Sequence, residues 1–249
     1  MSASALLLTA SAVRIASLNL CADEYLLLLA RPSEIASVSY LAQDRRESPL
    51  WRAAKGHHVN YGSIEQVLER RPTLVLTMGG GGRASKLIAG RMRIGALDLA
   101  PASSLDDVAA NLRRVAIAVG DPRRADPWLA RLADLRRARP ITAKDTIWLS
   151  GAGDTLGSAS VGAQWLRLAG LEQRAVGDRV GLETLLVRPP AVLVHSNYRL
   201  GQVSRGARWL DHPIVRRAKA QRIATDGRPW TCMGPLMIPE IERLRKLAR

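Results

Sequence analysis

The sequence predicts an α/β protein of two lobes, each a mainly parallel central sheet flanked by helices, joined by a single long interlobe helix. Three observations predict it. Strand and helix patterns alternate along both halves, as they do where helices cover the faces of a parallel sheet. Ser63 to Leu76 lies over Gly181 to Val194, with Glu, Leu, Arg and Pro at matching places and a four-residue apolar run at the end of each copy. Between the copies a helical pattern of about 17 residues would span ~25 Å.

The elements follow in order. Arg14–Leu20 is rich in β-formers and reads as a strand, followed by a helix from Ala22 to Ala30 that Pro32 stops. Ile35–Tyr40 alternates and reads as a second strand. Residues 41–62 are polar and irregular. Ser63 caps a short helix, Ile64–Arg71, and Pro72 ends it. Thr73–Thr77 is a buried-type strand running into Gly79–Gly82, which reads as a flexible loop. A helix over Ala84–Met92 and a strand over Ala96–Ala100 complete a β-α-β-α-β series. Ser104 with Asp106 and Asp107 opens a helix to Val119. The interlobe helix, Arg123–Arg139, carries Trp128, Leu129, Leu132 and Leu135 on one stripe. The order then restarts with strand Thr146–Ser150, helices Val161–Ala169 and Glu183–Arg188, strand Ala191–His195 and a final helix Ile238–Ala248. The expected division is an N-terminal lobe at 13–121, the interlobe helix within 122–139 and a C-terminal lobe at 140–249.

Composition narrows the function. Apolar residues at 47% and charged residues at 24% make an ordinary globular balance and exclude disorder. No run reaches the ~18 apolar residues of a membrane-spanning helix. The net charge of +15 raises nucleic acid or an anionic surface as a partner. The arginines are scattered among Ala and Leu, however, and no helix-turn-helix, aromatic RNP strand or zinc finger accompanies them. They read as solvated helix faces, with no nucleic-acid partner. Residues 1–12, MSASALLLTASA, read as a signal-peptide remnant with a small-x-small end but no basic n-region. Cys21 and Cys232 would pair in an oxidising compartment and stay free thiols in the cytosol.

Ligands of open parallel sheets bind beyond the carboxyl ends of the strands. Those ends carry Asn19, Leu20 and Cys21, Tyr40, Met78, Ser150, and His195 with Tyr198 and Arg199. Trp230, Cys232 and Met233 precede the last helix and could join them. Together they suit a large, partly apolar, partly anionic ligand. Enzyme signatures are weak: GxSxG, a P-loop lysine and GxGxxG are all missing. Asp23, Asp154 and His195 are the candidate acids and bases, at no recognised spacing. Two distant cysteines make a structural zinc site an unfavoured reading, and no intrinsic cofactor is expected.

At this point the residues resemble a family. RIASLNLCADEYLLLLA with IASVSYLAQD, GSIEQVLERRPTLVLT, SASVGAQWLRLAGLEQRA, GLETLLVRPPAVLV and WTCMGP are similar, in order and spacing, to the substrate-binding proteins of ABC importers for cobalamin and ferric siderophores. The resemblance covers about residues 13–248. It implies a periplasmic, monomeric protein that holds a metal chelate in the interlobe cleft without covalent chemistry and hands it to an inner-membrane permease. The ligand set it implies adds Tyr61 and Arg83 to the strand-end residues; Arg83 and Arg199 suit carboxylates or phosphates. It also implies that Glu65 and Glu183, one per lobe, dock onto arginines of the permease. A Cys21–Cys232 disulfide would staple the lobes; free thiols would instead be available to a metal centre. The alternatives are a haem- or divalent-metal-binding protein of the same fold, or a metal-dependent enzyme on a two-lobe scaffold.

Overall fold

A computed structural model of the chain describes residues 13–79, 83–138, 142–198 and 205–248. The expected signal remnant at 1–12 and residues 80–82 of the glycine run lie outside them. The first half contains strands β1 (Ile15–Ser17), β2 (Ile35–Ser39), β3 (Val59–Asn60), β4 (Leu74–Met78) and β5 (Gly95–Leu99), with helices α1 (Leu20–Leu29), α2 (Tyr40–Gln43), α3 (Trp51–Ala54) and α4 (Arg83–Arg91). Helices α5 (Leu105–Ala118) and α6 (Asp126–Arg137) follow. The second half has β6 (Lys144–Leu149), β7 (Leu171–Gln173), β8 (Val192–Ser196) and β9 (Gln221–Thr225). Its helices are α7 (Val161–Leu168), α8 (Leu182–Val187), α9 (Arg205–Leu210), α10 (Pro213–Arg217), α11 (Pro229–Cys232) and α12 (Met237–Leu247).

The strands form two sheets, β3-β2-β1-β4-β5 and β7-β6-β8-β9. Every pairing between these strands is parallel. The order β2-β1-β4-β5 in one sheet corresponds to β7-β6-β8-β9 in the other, and the internal repeat maps β4 onto β8. The first sheet differs by one extra edge strand, β3. Parallel pairing places all carboxyl ends of a sheet on one rim, so each half presents one loop-bearing edge.

Local chemistry sets the boundaries. Asn19 accepts the Ala22 N–H at 3.0 Å and caps α1. Leu20 and Cys21 therefore begin the helix, and β1 stops three residues short of the predicted Leu20. Ser104 and Asp107 form a reciprocal capping box on α5, whose Leu105, Val108, Leu112 and Val115 make a buried stripe. The predicted 17-residue interlobe helix is shorter. Asp121 caps a 3₁₀ turn, Pro122–Ala125, and α6 spans 12 residues, about 18 Å at 1.5 Å per residue. Pro127 is the reason: without an N–H it is accommodated in a first turn, which sets the start of α6 at Asp126.

The stretch at 41–62, read as irregular, contains α2, α3 and β3, and β7 was not anticipated. A single apolar cluster runs from Leu26 and Leu76 through Leu112 of α5 and Leu132 and Leu135 of α6 to Trp148, Trp165 and Ile241. The connecting helices are thus bedded in a core shared by both halves. Arg124 fastens one end, reaching the Leu29 carbonyl at 3.0 Å and Glu34 at 2.9 Å. Arg245 fastens the other, donating to the carbonyls of Leu168 at 2.9 Å and Leu135 at 2.7 Å, where the last turns of α7 and α6 leave acceptors open.

Candidate functional site

The rim of the first sheet is built by hydrogen bonds between strand ends. Asn19 Nδ2 donates to the Met78 carbonyl at 2.9 Å. The buried Asn60 donates to the Ser17 carbonyl at 2.8 Å and the Val38 carbonyl at 3.0 Å. These bonds bring the residues after β1, β2, β3 and β4 together. Tyr40 and Tyr61 follow β2 and β3 directly. Their rings stack with centroids 5.2 Å apart, and they are 48% and 70% exposed. Two large aromatic faces left in water beside each other are unusual for a packed surface and are an available platform.

On the second rim, Ser150 is half-buried, with its N–H on the Asp154 carbonyl at 2.8 Å. His195 is half-buried, and among the described residues its Nδ1 has no hydrogen-bond partner. Burial and the nearby Arg222 charge hold its imidazole below the usual histidine range. Tyr198 donates its hydroxyl to Glu47, which is buried in the first half. Gly227 allows this: a Cβ there would lie 2.5 Å from Tyr198 Cβ.

Among the described residues, several contacts join the two rims. Cys21 and Cys232 form a disulfide with Cα atoms 5.3 Å apart. Glu24 Oε1 accepts the Leu236 N–H at 2.7 Å. Tyr198 meets Glu47. Arg228 Nη1 donates to the Arg45 carbonyl at 2.8 Å.

Other expected residues stand elsewhere. Trp230 is 4% exposed; its indole donates to Thr225 Oγ1 at 2.8 Å and packs on Trp148. It is a core residue, because α11 turns its ring inward, where the hydroxyl satisfies the N–H. Met233 is half-buried against the core, and its carbonyl accepts the Trp165 indole N–H at 3.0 Å. Leu20 is half-buried in the first turn of α1. Arg83 opens α4, with its side chain outside what the structure describes, and Arg199 lies outside the described residues. Glu65 and Glu183 are both exposed in the first turns of the equivalent elements before β4 and β8. The Ser63 hydroxyl holds the Glu65 carboxyl below its ordinary range.

Sequence reasoning missed Glu47, Arg45 and Arg228. Their interactions bridge more than 150 residues and leave no local pattern. Of the candidate acids and bases, Asp23 is occupied by Ser39 and Asp154 by Arg179 at 3.1 Å.

No protein-family model matches the chain, and no curated protein matches it. Solved structures do. The periplasmic haem-binding protein HutB of Vibrio cholerae superposes with a TM-score of 0.73 at 16% identity, over 95% of this chain and 99% of that one. The periplasmic haem-binding protein RhuT from Roseiflexus sp. RS-1 gives 0.70 at 22% identity, over 95% and 97%. This chain has the fold of the periplasmic haem- and siderophore-binding proteins. A siderophore-binding protein, BauB, bound to ferric iron with two molecules of acinetobactin, also gives 0.70, at 14% identity over 95% and 92%. On this fold, among the described residues, no helix is long and apolar enough to cross a membrane.

Proposed function

We propose that the chain is the periplasmic substrate-binding component of an ABC importer, taking up a metal chelate between its halves and delivering it to the membrane permease. The observation that carries the reading is the pair of topologically equivalent sheets whose loop-bearing rims are linked, with Tyr40 and Tyr61 exposed and stacked on one rim. Stacked phenols offer a flat apolar face and hard oxygen donors, which suits a ferric chelate or a tetrapyrrole. The similarity to haem- and siderophore-binding proteins supports the same class. A bare divalent cation is less favoured: among the described residues, no three His, Cys, Asp or Glu side chains converge as a metal group.

Thermal unfolding against haem, ferric siderophores and cobalamin tests the reading. A true ligand at 100 times its dissociation constant should add about 2.7 kcal/mol. No shift with any of them would overturn it.

The docking role falls to Glu65 and Glu183, whose exposed carboxylates are favoured at the starts of their helical turns. Glu65→Arg combined with Glu183→Arg should abolish transport in a reconstituted importer while ligand affinity stays within about 2-fold. Retained transport would remove these residues from the docking surface.

A further inference from the structure

Helices α8 and α10 pack on the second sheet through Leu185 and Val215, which meet Ile147 and Leu193 in one buried cluster. Between the two helices runs a groove of about 470 Å³, with Leu186, Pro189, Pro213 and Ile214 among its apolar walls and Arg217 and Lys219 along it. Successive residues of a helix point about 100° apart, so a short helix cannot turn three consecutive aliphatics inward. On α8 Leu185 takes the buried place, and Leu186 and Val187 are left 66% and 83% exposed.

Cations stand beside these aliphatic tips. Arg188 follows Val187 directly, and Arg217 and Lys219 share the groove with Leu186. All three are exposed, and among the described residues none has a carboxylate partner. From His212 to Thr225 the chain carries four cations and no acid. Glu183, the acid of α8, stands a turn back from Leu186. Elsewhere in this half arginines are matched, Arg167 with Glu172 at 2.9 Å and Arg174 with Asp145 at 2.8 Å. The open carbonyls at the end of α10 favour Arg216 and Arg217 in its last turn. They account neither for Arg188 and Lys219 nor for the aliphatic side chains left in water.

We infer that the α8–α10 face docks directly on the surface of a bilayer that carries anionic phospholipid. The boundary between headgroups and acyl chains asks for this combination, aliphatic tips below and cations at the level of the phosphates. Long Arg and Lys stems let the charge reach a phosphate while the stem stays against apolar neighbours. A protein-binding hot spot is built differently, on aromatic anchors in a desolvated pocket with charge kept to the rim. Here the groove is lined by aliphatics and prolines, with no aromatic ring, and the cations lie within it. Docking of this kind needs no membrane-spanning helix. It holds the chain at the membrane through contacts with lipid and not with the permease.

Co-sedimentation of the full chain with vesicles tests it, using phosphatidylcholine alone and phosphatidylcholine mixed with phosphatidylglycerol, at about 0.1 M salt, where charges are screened beyond about 10 Å. The wild type should partition onto the anionic vesicles at least about 10-fold more strongly than onto the neutral ones. At about 5-fold per cation near an anionic surface, Arg188→Gln with Arg217→Gln and Lys219→Gln should lower that partition on the order of 100-fold, or to the neutral-vesicle level. Lys55→Gln with Arg113→Gln and Arg123→Gln removes the same charge elsewhere and should change it by less than about 3-fold. Leu186→Ser with Val187→Ser keeps every charge and should lower anionic partition at least about 10-fold. All these positions are exposed, and unchanged melting temperatures verify the folds. Equal losses in the two neutralised triples would leave only the pull of the overall charge and overturn the inference. An unaffected serine pair also overturns it, leaving phosphate attraction without insertion. Wild type that ignores anionic vesicles overturns it as well and leaves an acidic protein as the partner that fits the face. The vesicles hold neither cargo nor permease, so each of these failures leaves the transport reading standing.

Discussion

Replacing Cys21 and Cys232 together by serine should lower the unfolding free energy by about 2–5 kcal/mol. The two residues are 211 positions apart. A cross-link that closes so long a segment removes much of the unfolded chain's freedom and leaves the native state little changed. At roughly 2–4 °C per kcal/mol for a chain of this size, the melting temperature should fall by about 4–20 °C. Wild-type protein with a strong reductant should fall equally, and the double-serine variant should ignore the reductant. A variant that melts with the wild type would show that the shared core and the Arg124 and Arg245 anchors already hold the halves together.

The second large effect concerns Glu24. The residue is 5% exposed, and Gly234 packs so closely that a Cβ there would lie 2.7 Å from Oε1. Burial pushes its pKa up to about 8, against the pull of the Leu236 N–H. Asp23 beside it is pushed up to about 7 by burial, opposed by the Ser39 hydrogen bonds. The unfolded chain titrates these groups near 4.5 and 3.8. Between those values and pH 7–8 the native state therefore binds more protons than the unfolded one. The stability is fully present below about pH 4 and is lost as pH rises through 7 and 8. At 1.36 kcal/mol per unit, the Glu24 share at pH 8 is on the order of 4 kcal/mol. Glu24→Gln stays neutral and keeps an acceptor for Leu236. It should match the wild type near pH 4 and exceed it by about 2–4 kcal/mol at pH 8 in urea unfolding. A variant less stable than the wild type at pH 8 would mean that the carboxylate is ionised and needed.

Much of the fold was legible because long apolar periods and prolines act locally. The Ser63–Leu76 and Gly181–Val194 repeat anticipated the equivalence of β4 and β8, and the parallel order followed from alternation. Short elements were not legible: α2 and α3 are single turns, too brief to show a period, and β7 has only three residues. Pro127 announced the true start of α6, although the predicted helix ran back through it to Arg123. At the site, position after a strand identified Tyr40 as a residue of the rim, whereas Tyr61 was named only through the family resemblance because β3 was not foreseen. Position could not tell which way a ring turns, so Trp230 was read outward although Thr225 and Trp148 draw it into the core. Glu47 and Arg228 act through partners in the other half, and only the assembled chain brings them together.

The link between α1 and α11 also orders the protein's maturation. Cys21 leaves the ribosome 211 residues ahead of its partner. It must remain a thiol, at the positive end of a forming helix that favours thiolate, while nearly all the rest of the chain is made. Oxidation at this pair is therefore a late covalent step. Any product truncated before residue 232 would carry a reactive sulfur with no mate.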